Sequence, residues 1–282
     1  MASHLTVATC NISGLKSDTK RHTVFNWLRS QKCDIIFLQG THCHLKKDEY
    51  RWSREWDGQS IWSRGTNKSR GVAVLFSRKY NFDIVDKTVD SNGRYIIFTL
   101  KIGENVYKLI NIYAPNDDFE RVKFFQNINS WIDDKLETFI GGDFNCTLNS
   151  YLDRRNCVNS RDLGKVDLIR MMNSHNMEDI WRRRHPNDRT FSWRRGDKSS
   201  RIDYWLISDS LDGQVDMIEY TPCSLSDHNM CKMLIRTSET DHGPGIWKMN
   251  TSVVKSRLFK QCFSGMWDHW RTKKIEFDNC GI

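Results

Sequence analysis

Thr138-Phe139-Ile140-Gly141-Gly142-Asp143-Phe144-Asn145 is a short apolar run that stops abruptly in a Gly-Asp-Phe-Asn turn. A run this short, β-branched and aromatic and bounded by turn formers, reads as a buried strand rather than a helix. The same design recurs outward from it. Leu5–Thr9, Asp34–Leu38, Gly71–Phe76, Tyr95–Lys101 and Tyr107–Tyr113 precede it, and Thr190–Trp193, Ile202–Ile207, Val215–Tyr220 and Met230–Ile235 follow. Between them, Lys20–Ser30, Asp117–Leu136 and Gly164–Ser174 carry apolar residues at helical spacing, with Asp117 or Asp118 placed to cap the second. Many short strands interleaved with a few helices predict an α/β fold: a four-layer α/β sandwich of two packed mixed β-sheets flanked by helices.

Composition sets the outer limits. The chain has 282 residues with 38% hydrophobic and 28% charged side chains, ordinary for a globular protein. Its apolar runs are shorter than the roughly 18–20 residues a spanning helix needs, so no membrane partner is expected. Nine cysteines at irregular spacing, with no C-x-x-C, predict reduced thiols in the cytoplasm or nucleus, with a zinc site as the weaker alternative. The pattern changes near Arg236. Residues 1–236 read as the catalytic-type domain, and 237–282 as a polar linker followed by the start of a further region.

The formal charge is +8, and Trp181–Arg201 alone carries a net +6. A concentrated patch of this kind fits a polyanion partner, because cations that neutralise phosphates release counterions. A solvated basic face is the plainer reading.

Four segments put polar side chains at or just past a strand end: Asn11 after Ala8-Thr9-Cys10; Asn111-Ile112-Tyr113-Ala114-Pro115-Asn116; Gly142-Asp143-Phe144-Asn145; and Ser226-Asp227-His228. Loops at strand ends on a rigid scaffold are where ligand-binding groups gather. Singly, each has a structural reading as a turn, a cap or a core tyrosine. Together, with Thr190-Phe191-Ser192-Trp193 and Arg201-Ile202-Asp203-Tyr204, they resemble the ordered motifs of LINE (non-LTR) retrotransposon endonucleases. These belong to the apurinic/apyrimidinic-endonuclease-like branch of the exonuclease–endonuclease–phosphatase superfamily. The resemblance covers about residues 5–236. Ile246-Trp247-Lys248-Met249-Asn250 is similar to the stretch that leads into reverse transcriptase in LINE polyproteins.

The resemblance implies a nuclease that nicks one DNA strand and leaves a 3′-hydroxyl to prime reverse transcription. Asp143 would orient or deprotonate the attacking water, with Asn145 beside it. His228 would donate to the scissile phosphate, Asp203 would fix its tautomer, and Tyr113 would donate to a phosphate oxygen. Asn11 and Asp227 would lie at a divalent metal, Mg²⁺ or in its place Mn²⁺. One position departs from the pattern. The family reads Leu-Gln-Glu-Thr-His where this chain reads Leu38-Gln39-Gly40-Thr41-His42, so the principal metal-binding carboxylate is replaced by Gly40. Nicking is therefore expected to be strongly weakened.

The expected DNA surface is a basic β-hairpin formed by the strands around Arg194–Ser200, with Thr190, Trp193, Arg194, Arg195, Lys198 and Arg201 upon it. Arg154, Arg155 and Ser226 would lie beside it. Arginine entering a narrow minor groove favours A·T-rich double-stranded DNA. The action of such a chain is placed in the nucleus, with reverse transcriptase in the same polyprotein as partner. The rival readings are an abasic-site repair endonuclease, a phosphoesterase for lipid or inositol phosphates, and a catalytically dead DNA-binding module.

Overall fold

The computed structural model describes residues 4–157, 162–237, 263–264 and 266–267. The chain divides into two compact units, Met1–Glu239 and Thr240–Ile282. In the second, residues 263–264 and 266–267 are helical, with the Phe263 and Trp267 rings stacked at 6.1 Å. The Ile246–Asn250 stretch lies outside the described residues.

The first unit runs in the order β1 (His4–Asn11), α1 (Asp18–Ser30), β2 (Ile35–Gln39), α2 (Lys46–Trp56), β3 (Ser60–Ser63), β4 (Val72–Phe76), β5 (Asp83–Val89), β6 (Tyr95–Ile102), β7 (Asn105–Tyr113), α3 (Asp118–Asn129) and β8 (Glu137–Asp143). It continues with β9 (Arg154–Arg155), α4 (Leu163–Ser174), β10 (Met177–Asp179), α5 (Ile180–Arg184), β11 (Trp193–Arg195), β12 (Lys198–Ser200), β13 (Asp203–Ser208), a 3-10 turn at Asp209–Gln214, β14 (Val215–Thr221) and β15 (Met230–Arg236). Two six-stranded mixed sheets result, in the orders β14-β15-β1-β2-β4-β3 and β10-β13-β8-β7-β6-β5, with a small third sheet β11-β12-β9.

Side-chain alternation along each strand sorts the core into layers. Leu5, Val7, Ile35, Phe37 and Phe76 of the first sheet meet Phe98, Leu109, Phe139 and Trp205 of the second in one buried cluster. The opposite face of the first sheet (Ala8, Cys10, Ile36, Leu38) is covered by Val24, Phe25 and Leu28 of α1 and Trp52 and Trp56 of α2. The opposite face of the second (Ile110, Ile112, Ile140, Tyr204) is covered by Phe124, Phe125 and Ile128 of α3 and Leu168 and Met171 of α4. This is a four-layer sandwich. Burial on both faces explains why the strands read as continuous apolar runs. Gly141 lies opposite Trp205 across β8 and β13, and a Cβ there would meet the indole at 2.5 Å, so only glycine lets that ring lie flat on the strand.

Several elements differ from expectation. Helix α2 and strands β3 and β5 were not predicted: α2 buries only Trp52 and Trp56, and β5 is a largely exposed edge strand. The helix begun by the Asp117 cap, whose side chain accepts from the Phe119 and Glu120 N–H groups, ends at Asn129 rather than Leu136. The hairpin is also displaced. Its arms are Trp193–Arg195 and Lys198–Ser200, paired around a two-residue Gly196-Asp197 turn with Gly196 at φ +61°. The strand containing Asp203 instead joins the large second sheet, between β8 and β10. Among the described residues no helix is long and apolar enough to cross a membrane.

Candidate active site

The polar segments singled out in the sequence converge because their strands end at the same edge. Asn11 is paired in register with Gln39 across β1 and β2, Tyr113 with Asp143 across β7 and β8, and Asp143 with Asp203 across β8 and β13. The two sheets are tied together here by buried hydrogen bonds: Asn11 Nδ2 donates to Asp143 Oδ2 at 2.9 Å, and Gln39 Nε2 donates to Asn111 Oδ1 at 2.7 Å. The second carboxylate oxygen of Asp143 accepts from the Asn145 N–H at 2.9 Å. Asn145 itself sits in the left-handed region at φ +46° and donates its side-chain amide to the Ala114 carbonyl, pinning the turn.

Beside this pair, His228 Nδ1 and Asp203 Oδ2 are 2.8 Å apart, and both residues are buried. With the proton on Nδ1, the imidazole is oriented so that Nε2 is its free nitrogen. Sequence reasoning gave no role to Ser192, which completes this pair. Its hydroxyl donates to Asp203 Oδ2 at 2.6 Å and accepts from the Ile202 and Asp203 N–H groups, each at 2.9 Å. The only cue available was that Ser192 falls inside the Thr-Phe-Ser-Trp motif.

Burial and mutual charge set the proton states. Desolvation, reinforced by the negative charge of Asp203, pushes the Asp143 carboxyl up to about 7. Desolvation opposes charge on His228, but the charge and hydrogen bond of Asp203 outweigh it and raise the imidazole to about 9. Burial, with Asp143 close by, lifts the Tyr113 phenol to about 12, so it remains a donor. The Arg94 guanidinium lies over the Tyr113 ring, 5.5 Å from its centroid.

The Ser226–His228 loop is fastened to the end of β1. Ser226 Oγ donates to the Asn11 carbonyl at 2.6 Å and accepts from the His228 N–H. Asp227 is exposed and already engaged: Oδ1 accepts from Ser13 Oγ at 2.8 Å, and Oδ2 from Trp193 Nε1 at 3.1 Å.

Two groups bear on a metal. Asp143, Asp203 and His228 each offer a ligand atom, and these lie within 4.8 Å of one another, an arrangement able to hold an ion. Asp203 Oδ1 is buried with no hydrogen-bond partner, an oxygen left free for such a contact. The second group, Asn11, Gly40 and Asp227, does not fit. Gly40 adopts φ +61°, and the Asn11 Oδ1 atom lies 2.5 Å from where a Cβ on residue 40 would stand. That oxygen also accepts from the Ser13 N–H at 3.1 Å. An amide oxygen therefore stands against the point from which any side chain at residue 40 would start, and Asp227 is the one carboxylate of this group.

The expected DNA-contact residues separate into two sets. Arg194, Arg195 and Lys198 are exposed at the hairpin, Arg155 is exposed on the adjoining strand β9, and Thr190 and Trp193 are half-buried at the hairpin base. Arg201 is a correction. Its side chain is fully buried and ion-paired to Asp153 at 2.8 Å and Asp179 at 2.6 Å, so it anchors the hairpin base from inside and presents nothing to a ligand. Arg154 is largely committed as well, at 2.8 Å from Asp162 with its side chain 15% exposed.

A sequence profile described as the Endonuclease/Exonuclease/phosphatase family matches residues 8–228. The chain is 29% identical over 280 residues to the transposon TX1 uncharacterized 149 kDa protein of Xenopus laevis, an alignment covering 97% of this chain and 21% of that protein. This chain therefore spans about a fifth of that relative's length. Among solved structures, the apurinic/apyrimidinic endonuclease of Leishmania major superposes with a TM-score of 0.69 at 16% identity, covering 84% of this chain and 89% of that one. The endonuclease domain of TRAS1, a telomere-specific non-LTR retrotransposon, superposes with a TM-score of 0.58 at 13% identity, covering 83% of this chain and all of that one. At those identities the superpositions speak to the fold.

Proposed function

The chain belongs to the endonuclease/exonuclease/phosphatase family, and from that premise we propose that it is a retrotransposon-type DNA endonuclease whose nicking activity is strongly reduced by Gly40. The observation that carries this reading is the pair of buried contacts Asn11–Asp143 and His228–Asp203 where the strands of the two sheets end, beside a hairpin tipped with exposed cations. Similarity to a transposon protein along 97% of the chain supports the retrotransposon assignment over a repair enzyme.

Hydrolysis of a phosphodiester needs a positioned nucleophile, donors on the phosphoryl oxygens and a proton for the leaving oxygen. The Asp143 carboxyl, poised near neutrality, takes a proton from the attacking water. The His228 imidazolium donates through Nε2 to a phosphoryl oxygen, with Asp203 and Ser192 holding the ring. The protonated Tyr113 phenol donates to a second oxygen. Asp143 and Asp203, whose Oδ1 has no hydrogen-bond partner among the described residues, are the residues that would hold a divalent ion, which would neutralise phosphoryl charge, while His228 stays committed as proton donor. An all-oxygen set of this kind suits Mg²⁺, with Mn²⁺ able to take its place. The hairpin cations Arg194, Arg195 and Lys198, with Arg155, contact the duplex backbone and groove, with A·T-rich DNA preferred. In a longer polyprotein, residues 237–282 lead towards reverse transcriptase, which extends the 3′-hydroxyl of the nick in the nucleus.

Gly40 favours a second reading, a DNA-binding module without turnover. One assay separates the two. Supercoiled plasmid is incubated with the purified chain in Mg²⁺, Mn²⁺ or chelator, and nicked circles are tested for extension by a DNA polymerase. Slow, metal-dependent, extendable nicks that disappear in His228→Ala support the endonuclease. DNA binding with no nicks from either the parent or Gly40→Glu supports the module. Preferential cleavage of an abasic duplex over an intact A·T-rich one would move the assignment to repair.

A further inference from the structure

Tyr151, on the segment between β8 and β9, is 77% exposed and has no part in the chemistry above. The turn that carries it is pinned at both ends. Asn149 Oδ1 accepts from the Tyr151 and Leu152 N–H groups at 3.0 and 3.1 Å. The Asn149 N–H donates to Asp153 Oδ2 at 2.9 Å, and the Asp153 N–H returns to the Asn149 carbonyl at 2.7 Å. Asp153 is itself buried and ion-paired to Arg182 and Arg201. An aromatic ring is thus held out into water by a backbone with little freedom, so covering it costs little ordering entropy.

Single exposed apolar side chains are ordinary. Tyr151 differs in having a fixed cation set upon it. The Arg189 guanidinium lies 5.6 Å from the Tyr151 ring centroid and 6.0 Å from that of Phe191. Its Nη2 donates to the Arg154 carbonyl at 2.9 Å, which orients the planar group. Arg189 is exposed and forms no ion pair among the described residues. One face of the Tyr151 ring is under the guanidinium, and the high exposure of the residue leaves the other open. The pair also stands close to the reaction centre. Arg189 is three residues before Ser192, at most about 11 Å along an extended chain. Ser192 holds Asp203, and the Phe191 and Ser192 carbonyls accept from Asn229, the neighbour of His228. On the other side of the turn, β9 presents the exposed Arg155 and pairs with the hairpin arm β12.

An open aromatic face beside an unneutralised guanidinium suits an unstacked base and its phosphate, because every base has a π-face and arginine can both stack and neutralise. We propose that Tyr151 and Arg189 form a stacking platform for one unpaired base of the DNA held at the reaction centre. The inference rests on the endonuclease reading for its ligand. Tyr151 supplies the stacking face, and Arg189 supplies the charge. The platform gives the chain a preference for DNA that is distorted close to the cut, since a base already out of the helix has no pairing to lose.

The test is equilibrium binding of the full chain, in chelator, to two labelled duplexes of one A·T-rich sequence, one fully paired and one carrying a single unpaired adenine. The parent chain should bind the bulged duplex more tightly. Tyr151→Ala should weaken that complex on the order of tenfold and leave the paired duplex and the melting temperature unchanged, while Tyr151→Trp keeps the preference. Arg189→Gln should also weaken the bulged complex and lower its salt slope by about 1. The inference is overturned if the parent binds both duplexes equally, if Tyr151→Ala or Arg189→Gln retains the parent's preference, or if Tyr151→Ala weakens both complexes alike. Metal-dependent plasmid nicking by the parent would in those cases leave the endonuclease reading standing. A parent chain that binds neither duplex would overturn both.

Discussion

Replacing Gly40 by glutamate should destabilise the chain while increasing its nicking. The backbone there holds φ +61°, which costs an L-residue roughly 1–2 kcal/mol. A Cβ would stand 2.5 Å from Asn11 Oδ1, so the Asn11 amide must move. Moving it gives up the buried hydrogen bond to Asp143, a contact to a charged group worth roughly 1.5–3 kcal/mol. The sum is about 2.5–5 kcal/mol, which for a unit of this size lowers the melting temperature by on the order of 10 °C. Thermal unfolding in chelator, followed by circular dichroism, measures it, with Gly40→Ala separating the backbone and Cβ costs from those of the carboxylate. A divalent ion held by the new carboxylate at a hundredfold its Kd would return about 2.7 kcal/mol, so part of the loss should be recovered in Mn²⁺. An unchanged or higher melting temperature in chelator would show that the turn at Gly40 is not locked. Equal plasmid nicking by parent and Gly40→Glu would show that this position carries no metal ligand.

Arg201→Met should cost about 3–5 kcal/mol in urea unfolding, because it leaves Asp179 and part of Asp153 buried without their partner. A loss under about 1 kcal/mol would mean that the network is replaceable by apolar packing. Ser192→Ala should remove about 1–3 kcal/mol of stability by orphaning the Ile202 and Asp203 N–H groups. It should also slow nicking at unchanged DNA affinity, and Ser192→Thr should restore the rate; a variant with full activity would remove Ser192 from the site. The pH profile of nicking should rise as the Asp143 carboxyl ionises near about 7 and fall as His228 deprotonates near about 9, the two limbs belonging to the coupled cluster. Both folded values are raised, so stability drains away as pH climbs: the Asp143 share between its ordinary value and about 7, the His228 share from about 6.5 through about 9. A melting temperature that increased from pH 6 to 9 would contradict both shifts. Alanine at Arg194, Arg195 and Lys198 together should reduce the salt slope of DNA binding by about 2–3, as three lost phosphate contacts require. An unchanged slope in mobility-shift titrations would take the hairpin out of the interface.

How much the sequence could disclose depended on whether the deciding contact was local. Asp143, Tyr113 and Asn11 were legible because an apolar run followed by polar turn formers fixes where a strand stops, and parallel packing then gathers those ends. Ser192 was not legible, since its partners Ile202 and Asp203 lie ten and eleven residues away across a hairpin whose arms were misplaced. The handedness of Gly40 was equally hidden, because the motif showed a missing carboxylate but not the positive φ or the Asn11 amide packed against the glycine.

The basic window shows most clearly what a charge count leaves out. Its net +6 fitted either a polyanion-binding patch or a solvated basic face. In the structure Arg182 and Arg201 are committed to Asp153, Arg201 also to Asp179, and Arg184 to Asp212. These counter-ions come from segments distant in sequence. The cations of that window that form no ion pair among the described residues include Arg194, Arg195 and Lys198, all exposed at the tip of the hairpin. Binding strength should therefore follow these exposed cations, and the ion-paired Arg182, Arg184 and Arg201 should act through stability. The two effects separate experimentally: neutralising the tip changes affinity at constant melting temperature, whereas Arg201→Met changes melting temperature and leaves the salt slope of the folded protein where it was.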